Sequence, residues 1–298
     1  MRPSTPEPVT FDAPDGYRLA GHCWQHHEPT APVVVINAAT SAHSRYYARF
    51  ADYLNQSGFH VVTFDYRGIG LSRHEPLQSL QAGWLDWGEL DVEAALQYSQ
   101  KRFAGSQLHC VGHSIGGVLI GMAPTAQSLS RIVLAGAQHA YWPDYLATKR
   151  TMMRLRWHVV MPALTALFGY FPGKRLGWLE DTPAGVVRDW HAATADFIDT
   201  FANGRGSRTL STPALAALRA RFEAVQAPIL VLTSSDDPFA TPQATERMLR
   251  LFSAAQIDQV TLEPSALGLT DIGHFGYFHS RLHAGLWPQI SDWLHRQA

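Results

Sequence analysis

Short apolar runs recur along the chain at residues 32–36, 60–64, 108–111, 131–135 and 228–232. Runs of that length without polar alternation predict strands covered on both faces, as in a parallel sheet. Between them the apolar positions move to helical spacing. Residues 45–56 form one such stretch before Gly58; residues 84–103 form another, with Leu85, Leu90, Val92, Ala95, Leu96 and Phe103 on the helical period before Gly105. Glycine closes a helix at little steric cost. Residues 115–123 predict a third helix. At the start of the chain, β-prone runs at 9–11 and 17–24 flank Ala13-Pro14-Asp15-Gly16, the signature of an antiparallel hairpin. A helix at 241–251, a strand at 259–262 and a helix at 286–295 complete the pattern. Alternation of this kind predicts an α/β protein with a mostly parallel sheet and right-handed crossovers.

The rhythm breaks between residues 141 and 222. Helical stretches are predicted there at 152–156, 159–171, 186–201 and 213–222, with no central strand. An insertion at a single point of a sheet predicts a helical cap, 141–222, over a core made of 1–140 and 223–298, rather than a second independent domain. Gly169, Pro172, Gly173, Gly177, Pro183 and Gly185 punctuate the insert and would permit it to move as a lid.

Composition narrows the function classes. With 298 residues, 46% of them hydrophobic, the chain can build a sizeable core. Its formal charge of -1, with acids and bases interspersed, provides no long-range field for nucleic acid or an anionic membrane. The two cysteines, Cys23 and Cys110, lie in apolar strand-like segments, which argues against a disulfide framework or zinc cluster. No apolar leader is readable before residue 9, so the expected location is cytoplasmic. The longest mostly apolar stretch, 157–171, is interrupted by Pro162 and is shorter than the roughly 20 residues that span a bilayer. No stable membrane insertion is expected.

The strand at 108–111 runs into Gly112-His113-Ser114-Ile115-Gly116-Gly117. Here Gly112, Ser114 and Gly116 fit the G-x-S-x-G spacing that puts a serine on a sharp strand-to-helix turn. A serine hydroxyl is a poor nucleophile at neutral pH and needs a histidine base oriented by a carboxylate. Candidates follow downstream: Asp236-Asp237 directly after the 228–232 strand, and His274 after the last strand. His113, beside the serine, reads as a packing or hydrogen-bonding residue. Asp65-Tyr66-Arg67-Gly68-Ile69-Gly70-Leu71-Ser72 is glycine-rich but has neither Walker lysine spacing nor a G-x-G-x-x-G; Arg67 within it reads as a structural hydrogen-bonder. His279 and His283 have a spacing able to bind zinc, but no third ligand accompanies them at familiar spacing. Neither a cofactor nor a metal is expected.

Four motifs in order, at 65–72, 112–117, 235–239 and 273–278, resemble the serine α/β-hydrolase superfamily, most closely a bacterial branch of predicted hydrolases. The resemblance extends over nearly the whole chain from about residue 9. It implies an α/β-hydrolase fold: a mostly parallel eight-stranded sheet flanked by helices, with the cap inserted after the strand at 131–135. It further implies Ser114 as nucleophile, His274 as base and Asp237 as the acid, with Asp236 one step earlier as the alternative. The oxyanion hole would combine the backbone N–H groups of Ile115 and Ala39. Asn37-Ala38 stands where the family more usually has His-Gly, which puts that loop's conformation in question. The implied reaction is cleavage of an ester or related acyl bond in a small-molecule or acyl-chain substrate through an acyl-enzyme. An acyltransferase with the same triad, or a ligand-binding protein on a hydrolase scaffold, are the alternatives. In the insert, Trp142, Tyr145, Trp157, Phe168, Tyr170, Phe171, Trp178 and Trp190 suit a pocket or the cap's own core, and Arg150, Arg154, Arg156, Lys174 and Arg175 suit an anionic substrate or a solvated face.

Overall fold

The apolar runs become the inner strands of one sheet, seen in a computed structural model that describes residues 5–296. In chain order the strands are β1 (Glu7–Asp12), β2 (Arg18–Trp24), β3 (Val33–Asn37), β4 (His60–Phe64), β5 (Leu108–His113) and β6 (Arg131–Ala135), followed by a two-residue pair, β7 (Tyr170–Phe171) and β8 (Thr182–Pro183), and then β9 (Ile229–Ser234) and β10 (Ile257–Leu262). Eight of them form the main sheet in the order β1-β2-β4-β3-β5-β6-β9-β10. The hairpin strands β1 and β2 pair antiparallel, and β2 pairs antiparallel with β4; all later neighbours are parallel. Every residue of β3, β4, β5, β6 and β9 is buried, which is why these strands read as mostly apolar runs without polar alternation. The edge strand β10 is mostly exposed and carries Asp258 and Gln259, polar positions that discourage pairing with another chain.

Helices cover both faces of this sheet. The stretch expected at 84–103 is one continuous helical segment, Trp84–Asp86 through Glu93–Arg102, with a π turn at Trp87–Val92. Trp87 stacks on Tyr66 (ring centroids 4.7 Å apart, 14° between planes), and Asp91 is turned inward toward the loop after β4. The helix after Ser114, Ile115–Ile120, is shorter than expected: it is capped at Gly121, and a separate 3-10 turn follows at Pro124–Ser128. Cys23 and Cys110 are both free and buried.

Residues 141–222 contribute no strand to the main sheet. The expected breaks among the first helices of this segment are absent: Arg150–Leu155, a π turn at Arg156–Val160 and Met161–Phe168 form one run ending at Gly169, whose φ of +77° suits glycine. The ribbon β7–β8 was not expected from sequence. At two residues per strand it is too short to show a period.

One ion-pair cluster, with Arg67 and Asp91 buried and Asp15 at the surface, fastens the hairpin, the β4 loop and the helical segment together. Arg67, 4% exposed, donates from Nε to Asp91 at 2.7 Å and from its terminal nitrogens to Asp15 at 2.6 and 3.0 Å. Its backbone N–H also donates to Asp91, at 2.9 Å, and its guanidinium lies over the Tyr17 ring at 4.9 Å. Removing the cation would leave the Asp91 carboxylate buried and unpaired. Arg67→Met is therefore expected to lose about 3–5 kcal/mol of unfolding free energy in urea titration; a loss under about 1 kcal/mol, the scale of an exposed ion pair, would contradict this role.

Candidate active site

Loops at the C-terminal ends of β3, β5, β6, β9 and the segment after β10 converge on one cavity. At the end of β5 the chain turns through Ser114 with φ +56° and ψ -127°, a conformation that costs a non-glycine residue free energy and persists only where its surroundings enforce it. Those surroundings are small. A Cβ on Gly116 would collide with the carbonyl oxygens of Asn37 and Ala38, and one on Gly112 with the backbone of Gly117. The Ser114 N–H is tied across to the Ala135 carbonyl at 3.1 Å. Among the described residues, the non-glycine residues at positive φ are Ser41, Ser114 and Ala140, and all three lie in these loops.

The three residues singled out as nucleophile, base and acid meet there. His274 Nε2 lies 2.9 Å from Ser114 Oγ, and His274 Nδ1 lies 2.9 and 3.0 Å from the two oxygens of Asp237. The carboxylate therefore selects the Nδ1–H tautomer and leaves the Nε2 lone pair facing the serine hydroxyl. Asp237 is 1% exposed. It accepts further bonds from the backbone N–H groups of Phe239 (2.9 Å) and Ala240 (3.1 Å) and from the Tyr277 hydroxyl (3.0 Å). Burial works against its charge, but the facing imidazole and these donors outweigh it and hold the carboxyl below the ordinary carboxylate range.

Asp236 occupies a different place. Its carboxylate accepts the backbone N–H groups of Ile272 (2.9 Å) and Gly273 (3.0 Å) and the Ser234 hydroxyl, so it organises the loop that carries His274. The adjacent carboxylates thus face different donors.

His113 joins the two sides of the site. Its Nε2 lies 2.8 Å from the His274 carbonyl and therefore carries the proton; its Nδ1 then accepts from the Tyr47 hydroxyl at 2.8 Å. Burial pushes this imidazole down to about 3, so it stays neutral through the physiological range. The chain of bonds ends at Ala39, whose backbone N–H donates to the Tyr47 oxygen at 2.9 Å. Ala39 lines the cavity, but its N–H, expected to face an oxyanion, is engaged by Tyr47. The Ile115 N–H stands at the first position of its helix, where no intrahelical acceptor exists. Sequence reading missed Gln138, after β6. Its Nε2 lies 3.3 Å from Ser114 Oγ, and its orientation is set by Ala140, whose N–H donates to the amide oxygen. A glutamine in a loop carries no spacing signal that would have marked it.

The cavity measures about 310 Å³, at the small end of ligand sites. Its walls combine Ala39, Thr40, Ser114, Gln138, His274 and Phe275 with Trp157, Trp178, Trp190 and Arg156 of the 141–222 segment. Of the other aromatic residues considered, Tyr145 and Phe171 are fully buried. Arg150 donates to the Tyr145 carbonyl and Arg154 lies over Trp142. No group of three or more metal-ligating side chains is present among the described residues, and none of their helices is long and apolar enough to cross a membrane.

A mostly parallel sheet in this order with a strained serine after its central strand defines the α/β-hydrolase class. Residues 28–264 match the family described as serine aminopeptidase, S33, and the chain belongs to that family of serine α/β-hydrolases. No curated protein matches it. Among solved structures it is similar to an esterase of Pyrococcus furiosus (12% identity, TM-score 0.59, covering 97% of this chain and 89% of that one). It is also similar to the esterase domain of a Rhodothermus marinus protein (17%, 0.57, 97% of each chain) and to the thioesterase domain from the curacin biosynthetic pathway (14%, 0.54, covering 98% of this chain and 100% of that one).

The segment carrying Glu180 and Thr182 is latched to the β3 loop beside the cavity. Glu180 donates its N–H to the Ser41 carbonyl at 3.1 Å, the Ser41 and Thr182 hydroxyls are 2.6 Å apart, and Glu180 lies 2.9 Å from His43 Nε2. Asp65, 3.9 Å from Nδ1, and Glu180 together raise the His43 pKa above its ordinary value. A raised folded pKa contributes stability that is complete below the ordinary histidine value and disappears as pH rises through the folded one. The melting-temperature gap between wild type and His43→Gln is accordingly expected to be larger at pH 6 than at pH 9. A gap that is constant or grows with pH would exclude the latch from a protonated His43.

Proposed function

We propose that the protein is a carboxylesterase-like serine hydrolase that cleaves an ester or related acyl bond of a small substrate by way of an acyl-enzyme. One observation carries this reading: Ser114 Oγ, the His274 imidazole and the buried Asp237 carboxylate form a continuous line of bonds of 2.9–3.0 Å at the cavity wall. In the proposed first half-reaction, Ser114 Oγ attacks the substrate carbonyl carbon while its proton passes to His274 Nε2. The resulting imidazolium is stabilised by Asp237 and returns the proton to the leaving oxygen as the C–O bond breaks. Water, deprotonated by the same nitrogen, then attacks the acyl-serine and releases the acid. No cofactor takes part in these steps.

Charge developing on the carbonyl oxygen needs preorganised donors. Ile115 N–H is assigned as one. The engagement of Ala39 by Tyr47 favours the Gln138 amide as a second, with Ala39 serving only if it exchanges that partner. Residues 141–222 act as the cap over a core of 1–140 and 223–298, a division supported by the cap's absence from the main sheet and by its tryptophans in the cavity wall. The cavity's small size favours short acyl groups.

The test is covalent labelling by a fluorophosphonate probe together with turnover of short p-nitrophenyl esters. Ser114→Ala should abolish both, and Asp237→Asn should lower kcat by about 10⁴, as expected when the base loses its tautomer. Undiminished labelling or turnover in Ser114→Ala would overturn the proposal. Gln138→Leu should lower kcat by about 10²–10³ with little change in KM if its amide meets the oxyanion; a change confined to KM would remove it from that role.

A further inference from the structure

The cavity wall contains one side chain that the proposed chemistry does not use. Arg156, from the π turn in the first cap helix, reaches the wall between two tryptophans, with its guanidinium carbon 3.8 Å from the centroid of the Trp178 ring and 5.0 Å from that of Trp157. It has no ion pair and no hydrogen bond among the described residues, and its Nε is buried without a partner. The remaining lining residues include no carboxylate. By contrast, Arg67 is paired with Asp15 and Asp91, and Arg247 with Asp144.

Stacking against aromatic faces holds a guanidinium by its flat sides and leaves the in-plane N–H edge free. That edge matches the two oxygens of a carboxylate, and few other small groups satisfy it as well. An unpartnered donor set in an aromatic wall beside Ser114 is therefore a recognition element awaiting an anion. We infer that Arg156 selects substrates that carry a carboxylate a short distance from the scissile carbonyl, so that the preferred esters are half-esters or esters of hydroxy acids rather than neutral ones. This inference rests on the hydrolase reading for its catalytic consequence, and on the cavity alone for its binding consequence. The carboxylate can belong to the acyl part or to the alcohol part, and the two are separable by experiment.

Two kinetic comparisons separate them. For the acyl side, the p-nitrophenyl half-ester of glutarate is compared with p-nitrophenyl valerate; for the alcohol side, the butyrate ester of 3-hydroxypropanoate is compared with that of its amide. In wild type the anionic member of one pair should have the higher kcat/KM, and Arg156→Gln should reduce that anionic-to-neutral ratio by about tenfold or more, the scale of a charge-assisted hydrogen bond. Arg156→Lys keeps the charge without the fork and should restore part of the ratio. A residue that only packs the tryptophans would alter both members of a pair alike and leave the ratio unmoved. Binding is read separately by calorimetry on Ser114→Ala, titrated with monomethyl glutarate, with the acetate ester of 3-hydroxypropanoate and with the neutral amide of each. Tighter binding of an anion that disappears when Arg156→Gln is added supports the inference even if no ester is turned over, in which case the hydrolase reading alone fails. Equal ratios in wild type and Arg156→Gln, or equal binding of anion and amide, would overturn it.

Discussion

A carboxylate with almost no access to water persists as an anion only if fixed donors replace its hydration. Asp237 is given four: the His274 ring, the backbone N–H groups of Phe239 and Ala240, and the Tyr277 hydroxyl. These donors come from the turn after β9 and from the segment after β10, so the carboxylate brings two distant stretches of chain into one geometry. The His274 ring is then held at both ends, by Asp237 at Nδ1 and by Ser114 at Nε2. Losing a donor would expose the remaining charge to an uncompensated burial cost, so the arrangement is self-consistent only when complete.

Around this centre the structure repeats one device, a polar side chain whose partners are backbone groups of a neighbouring loop. Asp236 gathers the N–H groups of Ile272 and Gly273. His113 accepts from Tyr47 and donates to the His274 carbonyl, while Tyr47 holds the Ala39 N–H. The loop after β3 is thereby coupled to the loop that carries His274 without any side chain of the bond line being involved. Strain is confined to the same region, in the positive φ values of Ser41, Ser114 and Ala140, where surrounding packing and hydrogen bonds over-determine the backbone.

The segment 141–222 follows a different logic. It brings bulk and polarity rather than reacting groups: three tryptophans and Arg156 in the cavity wall, and a latch through Glu180 and Thr182 onto His43 and Ser41. Groups at the ends of the sheet strands and a wall built by another segment can vary independently, which is how one scaffold comes to host many functions.

The sheet was legible because strands buried on both faces are largely apolar, and β3, β5, β6 and β9 each leave an apolar run in the sequence. Ser114 was legible because the turn it occupies tolerates only small neighbours at Gly112 and Gly116, a steric demand written at fixed spacing. The division of labour between Asp236 and Asp237 was not, since adjacent carboxylates look alike until the donors facing each are known. Nor were Gln138 and the Ala39–Tyr47 bond, whose partners lie far away along the chain, and Arg156, one of five cations singled out in its segment, was set apart only by the flat faces of two tryptophans at the cavity. Local sterics and solvent exclusion act residue by residue, so the sequence alone determined the strands of the main sheet, their order along the chain and the turn that presents the serine. Hydrogen bonds and cation–aromatic contacts between distant segments depend on distances of a few ångströms that only the folded chain defines, and these decided which carboxylate faces the histidine and which cation faces the cavity.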